Sequence, residues 1–224
     1  MTLKIDLLSD LHGFYPELPG GDLLIVAGDL TARDTHAEYL KFYSWLHKQK
    51  YKHYIFIAGN HDNLIQKGEV LTTSLADTTY LCDSGTQFEG LKLWASPWTK
   101  TFPGMNPKCK AFTVDTEEEL AGKLSLIPED TDILITHSPL YGILDEVDFS
   151  EGYSIAVHVG STSLRTRVGE LRLKLHVFGH VHEGYGTYRS NLEFIDRPGW
   201  PIYVNASHVN ERYEPVNKPI RIEL

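Results

Sequence analysis

Tyr54-Ile55-Phe56-Ile57-Ala58-Gly59-Asn60-His61-Asp62 is the stretch from which the fold is read. Its apolar run, Tyr54–Ala58, is too short for a helix and the right length for a buried strand. It breaks at a glycine into an amide, an imidazole and a carboxylate. A change of that kind at a strand end puts chemistry on a rigid support, and open α/β sheets bind ligands at the carboxyl ends of their strands.

The same signature recurs in both directions. Upstream, Leu3–Leu8 runs into Ser9-Asp10-Leu11-His12, and Leu23–Ala27 into Gly28-Asp29. Downstream, Ile133–Thr136 is followed by His137, and Leu173–Phe178 by Gly179-His180-Val181-His182. Further strands are expected over Leu91–Ala95, Leu192–Ile195, Ile202–Asn205 and Ile220–Leu224. Thr35 with Glu38 forms a capping box, in which each side chain satisfies a free backbone N–H. Tyr39, Phe42, Tyr43 and Leu46 then fall on one face of the helix that follows. Thr116 and Glu119 repeat the box, and a third helix is expected over Ser161–Leu171. This order predicts an α/β sandwich, and 224 residues fit one domain, 1–224. The long segments Ser96–Asp115 and Ser138–Gly160 stay unassigned, as candidate walls of a pocket.

Composition narrows the function. A hydrophobic share of 42% suits a globular protein, and a net charge of −9 argues against binding duplex DNA, which needs a clustered basic surface. Two bound divalent cations would add about +4, so an acidic chain can still carry a phosphate pocket. Cys82 and Cys109 are too few for a disulfide framework and lack the spacing of a zinc site, so they are expected as reduced thiols. The opening Met1-Thr2-Leu3-Lys4-Ile5-Asp6 interrupts its apolar run with an acid, and no stretch approaches the roughly 20 apolar residues of a membrane span. A cytoplasmic protein without a membrane partner is expected.

Taken singly, each polar block has a bland reading: Gly-Asp and Gly-Asn-His-Asp as turns, Asp-x-His as a surface pair, His137 as a core histidine. Five such blocks, each closing a strand, point instead to a metal centre. Asp10 and His12, read as alternate residues of an extended segment, would face the same side, as would His180 and His182. Mixed oxygen and nitrogen donors suit manganese, iron or zinc better than calcium. The glycines before Asp29, Asn60 and His180 permit close backbone approach.

In order, these blocks resemble the motif set of the calcineurin-like metallophosphoesterases: D-x-H, G-D, G-N-H-[DE], a lone H and G-H-x-H. Tyr54–Asp62, Trp98-Thr99, Leu175–Gly186 and Val204–Ser207 are similar to one subgroup. These are the small metallophosphoesterase-domain-containing proteins grouped with class III cyclic-nucleotide phosphodiesterases. The resemblance implies a four-layer α/β/β/α sandwich with metal ligands on loops at the C-terminal ends of strands. It implies two divalent cations, manganese first, with iron, zinc or magnesium as the others. Asp10, His12 and His182 would hold one ion, Asn60, His137 and His180 the other, and Asp29 would bridge them. His61 would face the substrate and Asp62 would orient it, both in catalytic roles. The implied reaction is hydrolysis of a small phosphodiester, cyclic nucleotides included, by a bridging metal hydroxide. The alternatives are a phosphomonoesterase or nucleoside polyphosphate hydrolase on the same core, and a metal-binding scaffold without catalysis. Gly28-Asp29-Leu30-Thr31-Ala32-Arg33-Asp34 departs from the G-D-x-x-D-R-G of protein phosphatases, which argues against that activity.

For the substrate, Trp98 and Tyr185 are candidate stacking aromatics, with Lys100, Lys108, Lys110, Arg165 and Arg167 as candidate phosphate contacts. Each also reads as a packed or solvated side chain. His36, His47, His53, His158, His176 and His208 match no motif and are expected to be structural.

Overall fold

The central strands are buried on both faces, and alternate residues put one set of apolar side chains between two sheets and the other set against helices. The computed structural model describes residues 2–72, 77–148, 156–189 and 201–224. In chain order its elements are β1 Lys4–Leu8, β2 Gly21–Ala27, α1 His36–Leu46, β3 Tyr51–Ile57, α2 Asn63–Gln66, β4 Thr78–Tyr80, β5 Ser84–Phe88 and β6 Leu91–Ser96. These are followed by β7 Thr99–Lys100, β8 Thr113–Val114, α3 Glu117–Leu124, β9 Ile133–Thr136, β10 Glu146–Asp148 and β11 Ala156–His158. The last are α4 Thr162–Glu170, β12 Leu175–Phe178, β13 Gly186–Arg189, β14 Ile202–Asn205 and β15 Ile220–Glu223.

One sheet has the order β15-β1-β2-β3-β4, the other β13-β14-β12-β9-β6-β5. Their central strands are parallel, and β15, β13 and β5 run antiparallel at edges. Ile5, Leu7, Leu23, Ile25, Ile55 and Ile57 from the first sheet pack against Ile133, Ile135, Leu175, Val177, Ile202 and Val204 from the second. Fully burying such a side chain stabilises by about 1.5–3 kcal/mol. The intervening residues point outward. Leu24, Val26 and Phe56 meet Tyr39, Phe42 and Leu46 of α1, while Leu134, Phe178 and Tyr203 meet Leu120 of α3 and Leu164 of α4. The result is the four-layer α/β/β/α sandwich.

Both capping boxes are present, Thr35 with Glu38 and Thr116 with Glu119, and Ser161 caps α4. The expected strand Leu192–Ile195 lies outside the described residues. The two unassigned segments hold the short pairs β7–β8 and β10–β11. Both cysteines are free thiols. Among the described residues no helix is long and apolar enough to cross a membrane. At one end of the sandwich the two sheets are joined directly. A parallel bridge pairs Ser9 with Ser207, through Ser9 N–H to Ala206 O at 2.8 Å and His208 N–H to Ser9 O at 2.8 Å.

Candidate metal centre

The five polar blocks leave the C-terminal ends of β1, β2, β3, β9 and β12 and meet at the joined end of the sheets. Asp10, Asp29, Asn60 and His61 come from the first sheet, His137, His180 and His182 from the second. The expectation that Asp10 and His12 share a side because the segment is extended does not hold. Their φ values are +50° and +42°, with Asp29 at +53° and His180 at +68°. Beyond Leu8 the chain turns, and Asp10 N–H and His12 N–H donate to the carbonyls of Gly28 and Asp29 at 3.0 Å each. The turn, not strand alternation, brings the donors together. His182 likewise opens a short 3₁₀ turn, His182–Gly184. A left-handed non-glycine residue costs on the order of 1–3 kcal/mol, and such strain clusters at functional sites.

Among the described residues, three groups of donors have their ligand atoms within 4.8 Å of one another: Asp10, His12 and His182; His12, Asp29 and His61; and Asp10, Asp29 and His137. Asp29 sits between the others. Its Oδ2 is 3.6 Å from His12 Nε2 and its Oδ1 is 3.4 Å from His137 Nε2. His182 Nε2 lies 3.4 Å from Asp10 Oδ1, and His137 Nε2 lies 3.0 Å from Asn60 Oδ1. The His180 ring packs on His137 with centroids 5.0 Å apart. His61 Nε2 is 3.9 Å from Asp29 Oδ2, and its side chain is more open than those of His12 and His137.

The donor atoms are held facing the centre. His137 Nδ1 contacts Ala27 O at 2.9 Å and His182 Nδ1 contacts Asn210 O at 3.1 Å. A carbonyl oxygen only accepts, so Nδ1 carries a proton in each ring, and it is Nε2 that faces inward, where its own proton must leave before it can donate a lone pair to a cation. Asp10 Oδ2 receives His180 N–H at 2.9 Å and Ser207 Oγ at 2.8 Å. Asp10 Oδ1 and His12 Nε2 are buried without a hydrogen-bond partner. Leaving such atoms bare is costly, so this pair, with the imidazole, carboxylate and amide donors around it, fits a divalent cation.

Electrostatics agree. Burial favours the neutral form of Asp10, but His182 outweighs it and holds the carboxyl below its usual range. Asp29 is likewise held well below, against burial, by His137 and His61. Burial pulls His12 down to about 4 and His180 to about 3. It works the same way on His137, yet the Asp29 carboxylate lifts that ring to about 9. A proton therefore takes a cation's place beside Asp29.

Asp62 serves the loop, not the His61 ring. Its carboxylate accepts from Gly59 N–H at 2.8 Å, Leu30 N–H at 3.3 Å and Tyr39 OH at 3.1 Å, which fixes both loops that carry Asp29 and Asn60. Burial, then the Asp29 charge, raises it to about 8. The glycines behave as their sequence positions imply. A Cβ on Gly59 would lie 2.2 Å from Asp29 Oδ1, and one on Gly179 would lie 2.0 Å from Asp10 Oδ2.

Trp98, Tyr185, Lys100, Arg165 and Arg167 are engaged elsewhere. Trp98 donates its indole N–H to Asp83, packs on Phe112 and takes the Lys123 ammonium over its ring. Lys100 pairs with Glu117, Tyr185 OH donates to Lys218 O, Arg165 to Tyr141 O, and Arg167 pairs with Glu170. His53, His158, His176 and His208 make structural contacts, to Thr79, Asp145, Thr136 and Asn217 O. Sequence reasoning gave no role to Asn205, Ser207, Phe102 or Tyr213. The likeness at Val204–Ser207 was the one visible signal.

A family model described as calcineurin-like phosphoesterase matches residues 3–184. Human metallophosphoesterase domain-containing protein 1 is 35% identical over 244 residues, covering 97% of this chain and 69% of the human protein. A UPF0046 protein of Caenorhabditis elegans is 28% identical over 238 residues, covering 98% of this chain and 78% of that one. A solved protein of Thermus thermophilus shares the fold at 14% identity, with a TM-score of 0.57 over 92% of this chain and 89% of its own.

Proposed function

The chain belongs to the calcineurin-like phosphoesterase family, and from that premise we propose that it is a metal-dependent phosphodiesterase acting on a small phosphodiester, cyclic nucleotides included. Asp10, His12 and His182 would hold one divalent cation, Asn60, His137 and His180 a second, with Asp29 shared between them. Manganese is the first choice of ion because the family resemblance puts it first, and the mixed oxygen and nitrogen donors suit it, iron or zinc better than calcium. Bound there, the cations supply Lewis-acid charge for the phosphoryl oxygens and an acidified water as nucleophile.

The chain's own residues do the rest. His61 is the most open of the clustered imidazoles that flank Asp29, which supports its role in meeting the ester and protonating the leaving oxygen. Its backbone N–H donates to Asp29 Oδ1 at 2.9 Å, which fixes the loop that presents it. Asp62 positions that loop through Gly59 and Leu30. The observation that carries this reading is the buried, unpartnered pair Asp10 Oδ1 and His12 Nε2 amid the other donors.

The test is an assay of metal-stripped protein reconstituted with Mn²⁺, on a chromogenic phosphodiester and the matching monoester. Diester turnover abolished by chelator is expected. Turnover of the monoester alone would replace the diesterase reading with a phosphomonoesterase. Silence on both with two ions bound would overturn the catalytic reading in favour of a scaffold.

A further inference from the structure

Two aromatic rings other than Trp98 and Tyr185 stand at the cluster. The Tyr213 ring lies 4.8 Å from His12, 5.2 Å from His182 and 6.4 Å from His61, centroid to centroid. Phe102 lies 6.1 Å from the His180 ring. Both residues stay open, Tyr213 at 49% and Phe102 at 51% exposure.

A single exposed aromatic residue needs no explanation, but Tyr213 does. Its φ is +60°, a left-handed conformation that a bulky side chain disfavours. The turn that holds it is not slack. Tyr213 N–H donates to Asn210 O, and Asn210 Oδ1 accepts from Arg212 N–H and Glu214 N–H. Asn217 closes the loop base by donating to Ser207 O. The Asn210 carbonyl also receives His182 Nδ1–H, so one turn fixes both a candidate metal donor and the ring beside it. Strain kept in a residue that buries only half of itself, at the edge of a donor cluster, marks function rather than packing.

We propose that Tyr213 is the specificity-determining residue of this centre. Its open side receives a planar aromatic group carried by the phosphate ester, and Phe102 bounds the site beside His180. This rests on the phosphoesterase reading above and narrows the substrate to esters bearing an aryl group or a nucleobase.

The test is equilibrium binding to the Mn²⁺-loaded protein, which needs no turnover. The probes are ethyl phosphate, phenyl phosphate and adenosine 5′-monophosphate. Base–aromatic stacking is worth roughly a 5- to 150-fold change in affinity, so an aromatic probe should bind about tenfold or more tighter than ethyl phosphate. A preference for both aromatic probes assigns any flat ring; a preference for the nucleotide alone assigns the nucleobase.

Tyr213→Asn accepts the left-handed backbone but offers no ring. It should erase the preference while keeping its bound manganese, and Tyr213→Phe should restore it. No preference in the native protein, a preference that survives Tyr213→Asn, or loss of manganese from that variant would overturn the proposal. An aromatic preference without hydrolysis of any ester would leave Tyr213 in place and remove the phosphoesterase reading instead.

Discussion

Ser207 Oγ lies 2.8 Å from Oδ2 of Asp10, although 197 positions separate the two in sequence. The hydroxyl has one proton and two acceptors in reach, since Asn205 Oδ1 is 2.7 Å away. Asn205 Oδ1 already accepts Ser207 N–H at 3.2 Å, and a carboxylate is the stronger acceptor, so the proton goes to Asp10. Asn205 in turn donates to the carbonyls of Val181 and Leu144, at 2.7 and 3.1 Å. Oδ2 is thereby occupied and Oδ1 alone is left to face the centre. Ser207→Ala should weaken manganese binding by about 10- to 100-fold, the usual range for losing a group that orients a ligand. Competition against a chelating dye measures this, and native affinity in the variant would show that the contact is incidental.

Asp29 and His61 should separate binding from chemistry. Asp29→Ala removes the carboxylate shared by His12 and His137, so it should abolish metal-dependent turnover. His61→Ala should keep its metal but lower kcat by about 10²- to 10⁴-fold, as loss of a general acid does. Metal analysis beside steady-state kinetics decides, and metal loss from the His61 variant would make that residue a ligand.

Gly59→Ala tests the close approach at the centre. The added Cβ would lie 2.2 Å from Asp29 Oδ1 and 2.7 Å from His137 Cε1, so the donors must move. Loss of bound metal is expected, with destabilisation of about 1–3 kcal/mol from overpacking. Gly122, within α3, has open space at its Cβ. Gly122→Ala should keep the metal and gain about 0.5–1 kcal/mol in urea unfolding.

His176 gives the fold a pH dependence away from the metal centre. Burial pushes its folded-state pKa from 6.5 down to about 3. The unfolded chain therefore binds the proton first. Stability is full above pH 6.5 and falls as the pH drops towards the folded value. At pH 5 the loss from this group is about 2 kcal/mol, from about 1.5 pH units at about 1.36 kcal/mol each. Urea unfolding of chelator-treated protein at pH 7.5 and pH 5 should show His176→Gln losing about 2 kcal/mol less than the native chain. Equal losses in both would refute the assignment.

The strand ends were legible because each joins a short apolar run to a polar donor, with a glycine between them at Gly28, Gly59 and Gly179, a local pattern. The capping boxes were legible for the same reason. The separate two-stranded pairs β7–β8 and β10–β11 were not, because strands of two or three residues carry no periodicity. The left-handed backbone at Asp10 and His12 was also hidden. It is set by bonds to Gly28 O and Asp29 O on the next strand's loop, which no local window contains. Ser207 and Tyr213 reach the centre through the fold alone. The role of Asp62 beside His61 was implied by the family resemblance, whereas its carboxyl turns back to Gly59, Leu30 and Tyr39.

Because the donors are divided between two sheets, the spacing of the centre depends on the thickness of the apolar slab behind it as well as on the Ser9–Ser207 bridge that joins the sheets at that end. Ile25 and Ile57 on one side and Ile135 and Val177 on the other act as spacers, two or more residues from the nearest donor. Trimming one by a methylene would let the sheets settle and shift Asp29 relative to His137. The hydrocarbon interior is thus a caliper for the centre, and selection for ion preference can act on residues that never touch an ion.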